Sequence, residues 1–73
     1  MTEVTVITDG LIDQETTDAI ADMTEEFDGS VRVLRNGYVI NFFLEDDAKS
    51  FHQSVLDAAA LKGKLANLSI YSL

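Results

Sequence analysis

The chain has 73 residues, no cysteine and a formal net charge of −8, and 47% of its residues are hydrophobic. This length predicts one domain over residues 1–73, and the hydrophobic content argues against disorder. Without cysteine the protein forms neither a disulfide nor a thiolate metal site. No apolar run approaches the roughly 20 residues of a membrane span, and the N-terminus lacks the features of a signal peptide. We therefore expect a soluble cytoplasmic protein with no membrane partner.

The first two predicted elements are a strand and a helix. Residues Glu3 to Thr8 are β-branched and roughly alternating, which favours a strand with Val4 and Val6 on one face. The helix is predicted to begin near Asp13, a good N-cap residue. It is predicted to end near Asp28–Gly29, where the glycine would take the left-handed conformation that often terminates helices.

All of the net charge falls within this predicted helix and its flanks. Residues 9–28 contain eight acidic residues and no basic one, whereas the rest of the chain has five of each. Four acids follow the spacing i, i+3, i+7 and i+10, which puts them on one helical face. These four, which we call the acidic face, are Glu15, Asp18, Asp22 and Glu25. The three apolar residues Ile20, Met23 and Phe27 are on the opposite side. We predict that the acidic face binds a basic protein surface; the alternative is a solvated acidic surface that has no specific partner and keeps the protein soluble.

A β-hairpin is predicted next. Asn36–Gly37 between two apolar runs favours a type I′ turn with a two-residue loop, which would place Arg35 opposite Tyr38. The hairpin face that carries Arg32 and Asn41 is the poorer candidate for burial, because their polar groups would lose water. The predicted core face therefore carries Val31, Val33, Tyr38, Ile40, Phe42 and Leu44.

The last elements are a second helix and a fourth strand. The acids Glu45, Asp46 and Asp47 favour a helix start, and Lys62–Gly63 would close this helix. Residues Leu65 to Leu73 form the last predicted strand. The order β-α-β-β-α-β predicts an α+β fold, the ferredoxin-like sandwich, with a four-stranded antiparallel sheet and both helices on one face. The predicted core is Ile20, Met23, Phe27, Val31, Val33, Ile40, Phe42, Phe51, Val55 and Ile70.

The other face of this sheet would be open and is the second candidate binding surface. It is predicted to expose the apolar side chains of Leu34, Val39 and Phe43, with Tyr71 or Leu73 beside them. An apolar patch on so small a domain favours a homodimer or a protein partner.

The element order and the stretch from Arg35 to Phe43 resemble the RNA-recognition motif, whose third strand stacks RNA bases on aromatic side chains. Gly37, Tyr38 and Phe43 match the glycine, the first stacking aromatic and the terminal aromatic of that motif. The resemblance implies a single-stranded RNA-binding module that uses the open sheet face. The chain departs from the motif at Ile40, where a second aromatic belongs, and its net charge of −8 gives no attraction to phosphate.

No arrangement of residues in the sequence predicts catalysis, a metal or a cofactor. His52 lies near Ser50 and Ser54, but helix positions two apart point to different faces, so no nucleophilic triad is predicted. We expect a non-catalytic binding protein that acts through the acidic face. By analogy with acidic phage products, it would inhibit a nucleic-acid-binding protein by imitating nucleic acid. The alternatives are the RNA-binding module and an oligomeric scaffold that associates through the open sheet face.

Overall fold

The computed structural model describes residues 1–72. Leu73, predicted as the end of the last strand, lies outside the described residues. The elements in chain order are strand β1 (Thr2–Thr8), helix α1 (Gln14–Glu26), strands β2 (Ser30–Val33) and β3 (Gly37–Phe42), helix α2 (Glu45–Asp57), a 3₁₀ turn (Ala59–Leu61) and strand β4 (Leu65–Ser72).

The four strands form one sheet in the order β2-β3-β1-β4, and each neighbouring pair is antiparallel. The fold is therefore α+β with the β-α-β-β-α-β layout that the sequence predicts. Strands β1 and β3 are central, and β2 and β4 are the two edges. Neither α1 nor α2, the two helices of residues 1–72, has the length and apolar content that crossing a membrane requires.

One face of the central strands forms the core with the helices. Ile40 and Phe42 of β3 are 0% and 1% exposed, whereas Asn41 between them is half-buried, which confirms the part of the predicted core face that lies on β3. Leu44, predicted on the same face, is 56% exposed because it lies beyond the end of β3 at the start of α2. Phe42 packs against Phe51 of α2 with ring centroids 5.1 Å apart. The largest buried side chains also include Tyr38, Ile20, Leu61, Val4 and Val6.

Three residues predicted for the core are exposed instead. Val31 and Val33 of β2 are 36% and 50% exposed, and Ile70 of β4 is 37% exposed. The register places all three on the helix side of the sheet, because they pair with Ile40, Tyr38 and Val4. The prediction failed because β2 and β4 are edge strands, and two helices cover the central strands better than the edges.

The hairpin turn differs from the predicted one. Val33 pairs with Tyr38, and the Leu34 N–H donates to the Gly37 carbonyl over 2.8 Å, so the central turn residues are Arg35 and Asn36. Neither Asn36 nor Gly37 has a positive φ, so the type I′ prediction is wrong. Gly37 instead pairs with Ile7 of β1, where a Cβ would collide with the backbone of that strand. Gly37 therefore allows β3 to pack closely against β1.

The end of α1 also differs in detail. Asp28, and not Gly29, adopts the left-handed conformation, with a φ of 56°. The Asp28 and Gly29 N–H groups donate to the carbonyls of Glu25 and Thr24 at 3.3 and 2.9 Å, which is the Schellman pattern. A Cβ at position 29 would lie 2.6 Å from a ring carbon of Phe42. Gly29 is therefore required by packing.

Helix α2 is shorter than predicted. It begins at Glu45, as expected, but it ends at Asp57 and not near Lys62–Gly63. Continuation would align Lys62 with the buried stripe that contains Phe51 and Val55, and burying a lysine is unfavourable. The 3₁₀ turn instead brings Leu61 into the core, where it is 2% exposed.

Candidate functional site

The N-cap residue Asp13 defines where the acidic helix begins. The Thr16 N–H donates to Asp13 Oδ1 over 2.7 Å, which confirms the predicted cap. Hydrogen bonds from Thr16, the backbone N–H first, and the positive charge of Lys64 lower the pKa of the Asp13 carboxyl below its usual value. The Asp13 carboxylate therefore remains charged at neutral pH. Its negative charge interacts favourably with the positive N-terminal end of the helix dipole.

The inner face of α1 determines which side chains are left to solvent. Thr16, Ile20 and Thr24 are buried, and the Thr24 hydroxyl donates to the Ile20 carbonyl over 2.7 Å. Met23 and Phe27, predicted as core residues, are half-buried and pack at its margin. Thr16 and Thr24 were not predicted as core residues because their side chains carry polar hydroxyl groups. The hydroxyl of Thr24 can be buried because it donates a hydrogen bond to the helix backbone.

The acidic face lies on the solvent side of α1. Glu15, Asp18, Asp22 and Glu25 are all exposed, as the spacing predicts. At about 1.5 Å of rise per residue, the four carboxylates extend over about 15 Å of helix. The structure thus brings together the whole predicted set on one continuous surface.

Within residues 1–72, Lys64 is the one cation that forms an ion pair with this surface, and it lies at the N-terminal end of the helix. Lys64 Nζ lies 3.8 Å from Glu15 Oε1 and 3.9 Å from Asp13 Oδ2. Within residues 1–72, no lysine or arginine forms an ion pair with Asp18, Asp22 or Glu25. The last turn of α1 also lacks a basic residue, although that end of the helix is its negative pole. Most of the acidic face is therefore uncompensated.

The edge strand β2 exposes aliphatic side chains next to α1. Helix α1 packs on the edge strand β2, whose four residues are all exposed. Val31 and Val33 lie on the same side of the sheet as the helix, and Arg32 lies on the other side. The β2 edge therefore exposes two aliphatic side chains beside α1.

The open sheet face is less apolar than predicted. Its central row contains Arg32, Val39, Thr5 and Ser69, which pair across the four strands. Val39 is only 8% exposed and Leu34 is half-buried, so neither adds much surface.

Two aromatic residues of the predicted open-face set are exposed. Phe43, which follows the last residue of β3, is 83% exposed, and Tyr71 near the end of β4 is 55% exposed. Phe43 and Tyr71 therefore supply more exposed apolar surface to the predicted set than Val39 does.

Tyr38, the residue that matches the first stacking aromatic of the RNA-recognition motif, lies in the core. It is 0% exposed, and its hydroxyl lies 2.8 Å from the Thr17 hydroxyl of α1. Its ring is therefore turned away from the open face, where RNA would have to stack.

Comparisons with known proteins add no family. No protein-family model matches the chain, and no curated protein matches it. Any function must therefore be inferred from the chemistry of the surfaces that residues 1–72 form.

Proposed function

We propose that this is a small acidic binding protein without catalytic activity, built on the ferredoxin-like sandwich. In this proposal the acidic face of α1 contacts the basic surface of a nucleic-acid-binding protein and inhibits it by occupying the place of nucleic acid. The observation behind it is the alignment of Asp18, Asp22 and Glu25, which are exposed and without an ion-pair partner among residues 1–72.

The energetics of the helix support a role beyond stability. Asp18 and Asp22 are four residues apart, and such like-charge pairs destabilise a helix by roughly 0.2–0.5 kcal/mol. Glu25 and Glu26 add negative charge at the end where the helix dipole disfavours it. Charges that cost stability tend to occupy sites of function.

The geometry supports a basic partner with a linear array of charge. Carboxylates repeated along one helical face present negative charge at intervals, as a nucleic-acid backbone presents phosphates. Arginine and lysine side chains that bind phosphate also bind carboxylate, and arginine binds both in a bidentate manner. The same surface repels nucleic acid itself, because both carry negative charge.

The test compares the wild type with two variants that lose the same charge. The face variant is Asp18→Gln with Asp22→Gln. The control is Asp9→Gln with Asp57→Gln, which removes two exposed carboxylates outside the acidic face. Each protein is immobilised and exposed to an extract of the host cell. A specific partner should bind the wild type and the control, be released by salt, and be lost from the face variant.

Nucleic acid then tests the inhibitory part of the proposal. Duplex DNA or RNA added to the captured complex should displace the partner if both occupy one basic site. Equal binding by the face variant and the wild type would refute the role of the acidic face. If the face variant and the control variant lose the partner to the same extent, binding depends on the net charge of the protein and not on the acidic face. Binding that nucleic acid does not displace would refute the imitation of nucleic acid.

A further inference from the structure

The two edges of the sheet differ in a way that identifies a second interaction surface. Strand β2 has four residues with Arg32 among them, and short charged edge strands resist pairing with other chains. Strand β4 has eight residues, Leu-Ala-Asn-Leu-Ser-Ile-Tyr-Ser, without a charge or a proline. A long uncharged edge of this kind is a ready template for strand addition.

An apolar groove follows the same edge on the helix side. It has a volume of about 320 Å³ and lies between the end of α2 and β4, with Val55, Leu65 and Leu68 in its wall. Leu56, also in this wall, is 61% exposed, and Ile70 of β4 is 37% exposed. Strand pairing at β4 would therefore be flanked by aliphatic side chains that another chain could cover.

We propose that β4 pairs antiparallel with β4 of a second copy, so that two four-stranded sheets become one eight-stranded sheet. Antiparallel pairing about a two-fold axis makes the contact self-complementary and closed. A register centred on Ser69 places Leu68 opposite Ile70 of the second copy. Both residues are then on the helix side, because they pair with Val6 and Val4 within each copy.

The charges at the two ends of β4 fit this arrangement. Lys62 lies in the turn before β4 and in the groove wall. At the other end, the Ser72 hydroxyl donates to Glu45 Oε1 over 2.8 Å, and Asp46 follows in the first turn of α2. Antiparallel pairing brings the start of one β4 beside the end of the other. Lys62 of each copy is then at the same end of the joined sheet as the Glu45–Asp46 cluster of the second copy, and the two-fold symmetry repeats this attraction at the other end.

The distribution of the acidic segment also permits a second copy at this edge. Helix α1 packs on β2, whereas α2 packs on β4. The flank of the β4 edge is therefore formed by α2, and the acidic face of α1 is not the surface that the two copies share. This inference does not depend on the proposed function, since it uses a different edge of the sheet.

The first experiment is sedimentation of the whole protein from micromolar to millimolar concentration. The wild type should form a dimer. Ser69→Lys puts two like charges opposite each other at the two-fold axis and should weaken dimerisation about tenfold or more. The matched control Ser30→Lys adds the same charge to the β2 edge and should leave dimerisation unchanged. A cooperative thermal unfolding transition is the control that each variant is folded.

A charge exchange provides a stricter test. Lys62→Glu alone and Asp46→Lys alone should each weaken the dimer, and the two together should restore it. A wild type that remains monomeric throughout would overturn the proposal. A dimer that Ser30→Lys disrupts while Ser69→Lys does not would place the contact at β2 and overturn it too. The same holds for a dimer lost in Phe43→Ser but kept in Ser69→Lys, which would place the contact on the open sheet face.

Discussion

Helices α1 and α2 have the same length, 13 residues, but they are stabilised by different means. The buried residues of α1 are Thr16, Ile20 and Thr24, whereas those of α2 are Ala48, Phe51 and Val55. Helix α1 compensates with structured ends, namely the Asp13 cap and the Schellman pattern, whereas α2 begins without a side-chain cap. Helix α2 therefore depends on its packing, and α1 depends more on its ends.

Their acidic residues differ in the same way. In α2 the acids Glu45, Asp46 and Asp47 occupy the first turn, where the dipole favours them, and Lys49 Nζ lies 3.9 Å from Glu45 Oε2. In α1 the acids continue to the last turn, where the dipole opposes them. The acids of α2 therefore stabilise its N-terminal end, whereas those in the last turn of α1 are opposed by the helix dipole.

The largest expected difference between the helices is in their packing. Val55 and Thr24 have the same shape, and both are buried, with 2% and 3% exposure. Val55→Ala should cost about 2 kcal/mol in the free energy of unfolding, because it removes two buried methyl groups and leaves a cavity. Thr24→Ala should cost less than about 1 kcal/mol, since alanine favours the helix more than threonine does. Urea unfolding measures both, and equal losses would refute the contrast.

The structured end of α1 provides the next prediction. Gly29→Ala should destabilise the protein by about 1–2 kcal/mol, because the new Cβ would crowd the Phe42 ring. The smaller side chain of Phe42→Leu should be tolerated better in the Gly29→Ala background than in the wild type. A double-mutant cycle of unfolding free energies measures this coupling. Additive effects would show that Gly29 is not required by Phe42.

The uncapped start of α2 offers a gain in stability. Leu44 is 56% exposed and has the extended backbone of an N-cap residue, but its side chain makes no cap hydrogen bond. Leu44→Ser should raise the free energy of unfolding by about 0.5–1 kcal/mol, because serine accepts a hydrogen bond from a free helix N–H. Leu44→Ala is the control for lost apolar surface. A serine variant no more stable than the alanine variant would contradict the prediction.

The smallest expected effect is the pH dependence of the α1 cap. Because the folded pKa of Asp13 is lowered, its stabilising effect is present above the unfolded pKa and is lost as the pH falls through the folded pKa. Asp13→Asn keeps the cap without titrating. Its melting temperature should therefore fall less than that of the wild type as the pH decreases below about 4. If the melting temperatures of the two proteins fall equally as the pH decreases, Asp13 is not the source of this pH dependence.

Local patterns in the sequence determined the order of the elements, the core face of β3, the cap of α1 and the exposure of the acidic face. Each of these depends on residues close together in the chain: alternation for a strand, three- and four-residue spacing for a helix, and one carboxylate near the N–H groups it caps. These short-range interactions predict the surface proposed for binding, because its four residues belong to one helix.

Only the tertiary structure decided the hairpin register, the role of the glycines and the exposure of the edges. Gly37 is packed against β1, and Gly29 lies against Phe42, which are contacts with residues distant in the chain. Val31, Val33 and Ile70 have a core-like pattern, yet they are exposed because their strands are at the edges. Burial and close packing depend on which elements become neighbours, and a local pattern cannot specify this.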